Sequence, residues 1–359
     1  MGKILYALVL LVPVAFIAEL LHWPMLAVFF LSALGLVPLA GLIGQATEEL
    51  AHHLGPRWGG LLNATFGNAA ELIITLFAVQ RGLLTLVKAS ITGSIIGNLL
   101  LILGVSLLAG GLKHGIQRYD SRETSLASAM MILALAGLLL PATFALGVSD
   151  HQPIEEISLL VAGVLLLTYI AYLAYSLRQG SGDPQGESHP AHETTTDRSD
   201  HAAWSIPRSL ATLALATAGA AWASEMLVGT VEPVTQQFGW SEFFVGVIVV
   251  AIVGNAAEHF SAVQFAWKNR LDLTLGIAAG SSTQVALFVA PVLVFASVLL
   301  GHPMDFIFQP LELAILVIST SIFAYICIDG ESNWLEGVQL LAIYLMAGIV
   351  FFLIPVQHG

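Results

Sequence analysis

The sequence predicts an all-α polytopic membrane protein of about eleven transmembrane helices, one extra helix followed by two inverted five-helix repeats. Three observations carry this. The 359 residues are 57% hydrophobic and only 10% charged, with a mean hydropathy of +0.85. A soluble domain carries about 25% charged residues, so lipid must cover most of this surface. Second, apolar windows of about 20 residues, the length that crosses a bilayer, follow one another along the chain. Third, one string occurs twice: Gly67-Asn68-Ala69-Ala70-Glu71 returns as Gly254-Asn255-Ala256-Ala257-Glu258, 187 residues later. The same offset places Gly93-Ser94 on Gly280-Ser281 without a gap. A second match in one register marks a duplication.

The windows fall at 4–21, 25–45, 59–80, 83–109, 123–146, 154–177, 207–229, 240–267, 271–298, 306–328 and 336–355. The first resembles a signal peptide, with Lys3 ahead of an apolar run. It lacks a small-x-small cleavage site and is read as a membrane helix. With the N-terminus in the cytoplasm, the inner loops receive Lys3, Arg57, Lys113, Arg118, Arg122, Arg178, Arg198, Arg208, Lys268 and Arg270. The outer side receives Arg81, and Lys88 lies near the outer end of span four. This positive-inside asymmetry fixes the expected orientation: N-terminus in, C-terminus out.

Parity then orders the halves. The first duplicated string lies in span three and the second in span eight, five crossings later, so the two run in opposite directions. The expected organisation is an extra helix at 1–22, a first repeat at 25–177, a cytoplasmic linker at 178–207 and a second repeat at 208–359. Inverted repeats of this kind place a transport site at their interface near the midplane. The linker carries Gly180, Gly182, Pro184, Gly186 and alternating Asp, Glu and His. Its acids Asp183, Glu187, Glu193, Asp197 and Asp200 and its His189, His192 and His201 offer cation ligands. Its polarity and low aromatic content read as a solvated tether.

Charged groups at membrane depth cost about 3 kcal/mol on insertion scales and mark functional sites by default. Glu71 and Glu258 lead here, each three residues after an asparagine, Asn68 or Asn255, so that carboxylate and amide share a helix face. Two glutamates facing each other across a pseudo-two-fold axis, each beside an amide oxygen, suit a hard divalent cation such as Ca²⁺, which takes six to eight oxygens. Span four adds Ser94 and Asn98, and span nine adds Ser281 and Gln284, polar groups amid Leu, Ile and Val that require a partner or an ion. His259 follows Glu258, where the first copy has Leu72. It titrates near neutrality, which makes it a candidate for proton coupling with the two glutamates. A neighbour on a helix points about 100° away from Glu258, so a bond to another helix is the competing reading. Glu48 and Glu49, near the inner end of span two, and Glu225, near the outer end of span seven, are candidates for the two mouths of an ion path. Glu19, Glu123, Glu155, Glu156, Glu312 and Glu336 lie at span ends and read as interface residues.

Gly67-Asn-Ala-Ala-Glu-Leu72, with Lys88-Ala89-Ser90, Gly93-Ser94 and Asn98-Leu99-Leu100, resembles the first signature of the calcium/proton exchanger (CAX) family. Gly254-Asn-Ala-Ala-Glu-His259, with Lys268-Asn269, Gly280-Ser281-Ser282 and Gln284, resembles the second. The likeness spans nearly the whole chain. It implies eleven helices, a midplane Ca²⁺ site at Glu71 and Glu258, and exchange for protons. Many members carry a dense acidic helix in the central linker; here the linker is sparser and broken by Pro184 and Pro190.

The expected function is a Ca²⁺/H⁺ antiporter that exports cytosolic Ca²⁺ by alternating access, with Ca²⁺ and H⁺ as transported ions and the bilayer as its surroundings. An Na⁺-coupled exchanger is the alternative, although Na⁺-coupled relatives carry Thr-Ser-type strings where this chain has Asn-Ala-Ala. A channel is disfavoured by an internal antiparallel duplication, since pores are commonly formed by symmetric subunits. An intramembrane enzyme is disfavoured because the spans hold no zinc set and no paired nucleophile and base. No organic cofactor is expected. The net charge of −12 argues against a nucleic-acid partner. A lone Cys327 gives no intrachain disulfide. Lacking an organellar transit signal, the chain is expected in a prokaryotic cell membrane.

Overall fold

The computed structural model describes residues 8–55, 59, 61, 62, 65–147, 151–179 and 204–353. Most of the linker and the C-terminal residues Ile354–Gly359 lie outside the described residues. Thirteen helical segments follow in order among them: α1 Leu11–Leu20, α2 Met25–Leu54, α3 Ala69–Gln80, α4 Leu84–His114, α5 Ser121–Ala145, α6 His151–Gln179, α7 Ile206–Gly229, α8 Val231–Phe238, α9 Glu242–Gly254, α10 Ala256–Trp267, α11 Leu271–Leu299, α12 Pro310–Ile326 and α13 Trp334–Leu353. Strand β1 (Gln117–Arg118) pairs antiparallel with β2 (Glu331–Ser332).

Among the described residues, seven stretches are long and apolar enough to cross a membrane, and the bent pair α9–α10 makes an eighth; α1, α3 and α12 are shorter apolar helices. Each overlaps a predicted window. Large apolar side chains such as Leu160, Leu215, Leu299 and Tyr325 face outward from these helices. That is the pattern of a surface solvated by lipid.

The helices interleave across the duplication. The most extensive packing is α2 against α7, and α4 packs on α9, α10 and α13, while α11 packs on α5 and α6. Glycines permit the closest crossing. A Cβ on Gly93 of α4 would lie 2.4 Å from the Val247 carbonyl oxygen, and one on Gly246 of α9 would lie 2.7 Å from that of Leu86. Only hydrogen fits there, and the two backbones touch.

Two expected straight spans are broken. Helix α9 meets α10 at a bend of 62° at Asn255, and α3 begins only after a turn at Gly67-Asn68. Asn255 has φ −105°, ψ 8° and Asn68 has φ −100°, ψ 24°, both near the bridge region rather than the helical one. The Asn255 side-chain amide donates to the Ala251 carbonyl at 2.9 Å, offering the backbone a local partner that competes with helix continuation. The asparagines therefore cap breaks instead of sitting inside helices. Wide π-helical turns also interrupt α4 at Gly97–Ile102, α9 at Val245–Val250 and α11 at Val285–Val289. The α4 and α11 turns fall within one residue of the same offset of 187.

Candidate ion-binding site

Both breaks place a glutamate in the first turn of the following helix, Glu71 in α3 and Glu258 in α10. A helix N-terminus carries partial positive charge and unpaired N–H groups, which favour a carboxylate at that position. Glu71 is wholly buried, and Glu258 is half-buried. Gly254, the residue just before the second break, has no side chain to fill the space beside Glu71; a Cβ there would lie 3.4 Å from the Glu71 Cβ. The two breaks thus lie against each other.

Hydrogen bonds knit the two sides together. Ser94 on α4 donates to Glu71 Oε1, and Asn255 Nδ2 donates to Ser94 Oγ at 2.9 Å. On the other side Ser281 on α11 lies beside the Glu258 carboxylate. Its hydroxyl also faces Asn68 Oδ1 at 3.2 Å and Asn255 Oδ1 at 3.4 Å. Asn98 Nδ2 donates to Ser281 Oγ at 3.0 Å, and Asn68 Nδ2 donates to Gln284 Oε1 at 2.7 Å. His259 Nε2 meets Asn98 Oδ1 at 3.1 Å. The α4 residues therefore bond both copies, and so do the α11 residues.

Two atoms stand outside this network. Glu71 Oε2 and Glu258 Oε2 are buried with no hydrogen-bond partner among the described residues. A buried carboxylate oxygen without a donor is costly unless a proton or a cation supplies the missing partner. Carboxylate, amide and hydroxyl oxygens converge here in a set that suits a hard cation. Among the described residues there is no group of three or more His, Cys, Asp or Glu that could hold a metal ion.

Eight sequence candidates, Glu71, Glu258, Asn68, Asn255, Ser94, Asn98, Ser281 and Gln284, lie in this one network, and His259 joins it through an amide rather than a backbone carbonyl. Of the mouth candidates, Glu49 is held by other partners. Glu49 accepts the Trp204 backbone N–H at 2.8 Å, His53 reaches the Trp204 carbonyl at 2.6 Å, and the Arg208 guanidinium lies 4.4 Å from the Trp204 ring centre. Glu49 thus helps anchor the C-terminal end of the linker. Glu48 is half-buried and Glu225 exposed.

Sequence reasoning placed Glu312 at an interface, and the structure corrects this. It is 2% exposed, accepts from Thr92 Oγ1 at 2.7 Å, and closes a capping box with Gln309 at the start of α12. The signal was legible in Gln309-Pro310-Leu311-Glu312, which fits the capping-box spacing. Lys88 forms an ion pair with Asp305, a partner that spacing alone did not reveal.

Comparison with known proteins agrees with this architecture. The sodium/calcium exchanger protein family matches residues 24–178 and 208–353. The chain is 42% identical to the Ca²⁺/H⁺ antiporter ChaA of Bacillus subtilis (strain 168), over 99% of this chain and 100% of that one. It is 41% identical to a Ca²⁺/H⁺ antiporter of Aphanothece halophytica, over 99% and 98% of the two chains. The native YfkE structure superposes with a TM-score of 0.84 at 39% identity, covering 98% of this chain and 100% of that chain. The H⁺/Ca²⁺ exchanger CAX shares the fold at a TM-score of 0.74 and 14% identity, covering 97% and 91%. With paired glutamates at two helix breaks and full-length likeness on both sides of the linker, this chain belongs to the sodium/calcium exchanger protein family.

Proposed function

We infer that the protein is a Ca²⁺/H⁺ antiporter in which one buried site binds Ca²⁺ and protons alternately. The observation that carries this reading is the pair of orphaned oxygens, Glu71 Oε2 and Glu258 Oε2. Two bare carboxylates in an apolar interior are strongly disfavoured. A divalent cation satisfies both at once, and so does protonation. The empty charged site is the forbidden intermediate, and its exclusion makes exchange obligatory. Asn68, Asn255, Ser94 and Ser281 supply further oxygens for Ca²⁺, while Asn98, Gln284 and His259 hold those groups in place.

Protons rather than Na⁺ as the counter-ion are supported by relatives at about 40% identity named Ca²⁺/H⁺ antiporters. The solved sodium-calcium exchanger NCX_Mj shares the fold alone, at 18% identity and a TM-score of 0.54. Two inverted halves are supported by the matching breaks at Asn68 and Asn255 and the matching π turns in α4 and α11. We read the transport as export from the cytoplasm; the charge asymmetry of the loops supports the N-terminus inside and the C-terminus outside, and the bacterial relatives support a prokaryotic cell membrane. Glu48, Glu49 and Glu225 remain candidates for the path mouths on the same reading.

The test is ⁴⁵Ca²⁺ uptake by proteoliposomes holding the purified chain, under an imposed proton gradient or an imposed Na⁺ gradient. Uptake driven by the proton gradient and collapsed by a protonophore is the expected result. Uptake that follows only the Na⁺ gradient would overturn the assignment.

A further inference from the structure

Two carboxylates seven residues apart, Asp305 and Glu312, are gripped by two residues one turn apart on α4. Lys88 Nζ pairs with Asp305 Oδ1 and donates to the Ile307 carbonyl at 3.1 Å; Thr92 Oγ1 donates to Glu312 Oε1 at 2.7 Å. The i, i+4 spacing puts both grips on one helix face. Each carboxylate also folds its own segment. Asp305 Oδ1 accepts the Ile307 N–H at 2.8 Å, and Glu312 Oε2 accepts the Gln309 N–H at 2.7 Å. The segment that carries them is packed inward, with Met304, Phe306 and Phe308 2%, 0% and 4% exposed. Its Met304 and Phe306 amides are bonded by the hydroxyls of Ser297 and Ser158. From Lys88 to Ser94 the helix rises about 9 Å, at roughly 1.5 Å per residue. The grip thus lies within two turns of the ion-binding site.

The corresponding segment of the first half, residues 115–120, is held differently. Gln117 Nε2 donates to the Ala266 carbonyl and to Asn269 Oδ1, both at 2.9 Å, and the Tyr119 hydroxyl donates to the Ile326 carbonyl. Arg118 stands 187 residues before Asp305, with a side chain 85% exposed. Leu275 stands 187 residues after Lys88. The two segments occupy equivalent places, yet only 300–309 is fastened through a largely buried ion pair.

We propose that Lys88, Thr92, Asp305 and Glu312 form a latch that holds the transporter closed on the face carrying residues 300–309, and that the latch parts when the site opens to that face. This rests on the antiporter reading, which requires the site to face each side in turn. Opening on that side draws Met304, Phe306 and Phe308 from their packing and parts the Lys88–Asp305 pair, whose side chains are 19% and 24% exposed in the closed arrangement. A contact made in one state and absent from the other biases the equilibrium between them.

The test uses the full chain in proteoliposomes of determined sidedness, with half-saturating Ca²⁺ measured from each face for the parent, Lys88→Met, Lys88→Arg and Asp305→Asn. Asp305→Asn keeps an oxygen for the Ile307 N–H and removes only the charge. Lys88→Met and Asp305→Asn are expected to shift the ratio of the two half-saturations by about fivefold or more, toward tighter binding from the face carrying 300–309. Lys88→Arg restores the parental ratio. Hydrogen exchange should rise in 300–312 and stay unchanged in 115–120. Folded variants in which both half-saturations are unchanged, or scale together, would overturn the latch. Should Lys88→Met fail to accumulate, Asp305→Asn decides. If the parent moves no Ca²⁺ the antiporter reading fails, and hydrogen exchange alone then decides whether the charges fasten the segment.

Discussion

Asn255 hands its amide to the hydroxyl of Ser94 at 2.9 Å, and Ser94 in turn donates to the carboxylate of Glu71. One serine from the first half thus joins the helix break of the second half to the glutamate of the first. Replacing Ser94 by Ala leaves Glu71 Oε1 without its donor in a buried setting, at a cost of about 1–3 kcal/mol. Ser94→Ala is expected to raise half-saturating Ca²⁺ by about tenfold or more, measured as ⁴⁵Ca²⁺ uptake into inverted vesicles. Asn68→Ala, which removes an oxygen facing Ser281, should weaken Ca²⁺ affinity with less effect on assembly. Parental affinity in both folded variants would show that these groups do not contribute to the site.

Glu71→Gln and Glu258→Gln each mimic a permanently protonated side chain. Both should insert and fold, and each should abolish Ca²⁺/H⁺ exchange, because Ca²⁺ loses a charged ligand and one partner can no longer release its proton. Proton-coupled Ca²⁺ uptake near the parental rate in either folded variant would remove the shared-site mechanism.

Gly93 and Gly97 separate packing from composition. At Gly93 an added methyl meets the Val247 backbone at 2.4 Å, whereas at Gly97 nothing lies within 4 Å of the added atom. Gly93→Ala is expected to force α4 from α9 and destabilise by about 1–3 kcal/mol, as overpacking does. Gly97→Ala should melt close to the parent. Thermal melts in detergent compare them directly; equal melting temperatures would show that the crossing adjusts freely.

Orientation is testable from two positions outside the described residues. Cysteines at Asp183 and Val356, each on a Cys327→Ala background, should react with an impermeant thiol reagent from opposite faces of the membrane. Labelling of both from one face would break the parity argument for inverted halves.

Much of this was legible because membrane insertion writes itself into composition. Helix positions followed from apolar length, and the candidate site residues from polar groups that lipid would otherwise leave unsatisfied. The duplicated string located Glu71 and Glu258 without any structural input. Local geometry was harder to read. Asn68 and Asn255 looked like interior helix residues, since neither proline nor a charge run marks either break. The π turns leave no trace in hydropathy. Glu312 and Lys88 sit where interfacial residues commonly sit, and only the fold brings residues from 220 positions away against Thr92. Long-range pairing of this kind is a property of topology rather than of spacing.

The unpartnered oxygens of Glu71 and Glu258 also bear on how long the molecule survives outside a membrane. A fold that buries two carboxylate oxygens without donors is least durable when its cargo is stripped away. Whatever binds the native site and not the unfolded chain raises the unfolding free energy, by about 2.7 kcal/mol at a ligand concentration 100 times Kd. Purified protein should therefore melt later with Ca²⁺ than with a chelator in alkaline buffer. Acidic buffer, which supplies protons to the same oxygens, should narrow that gap. The thermal melt becomes a transport-free titration of the site, and storage with Ca²⁺ present should outlast storage without it.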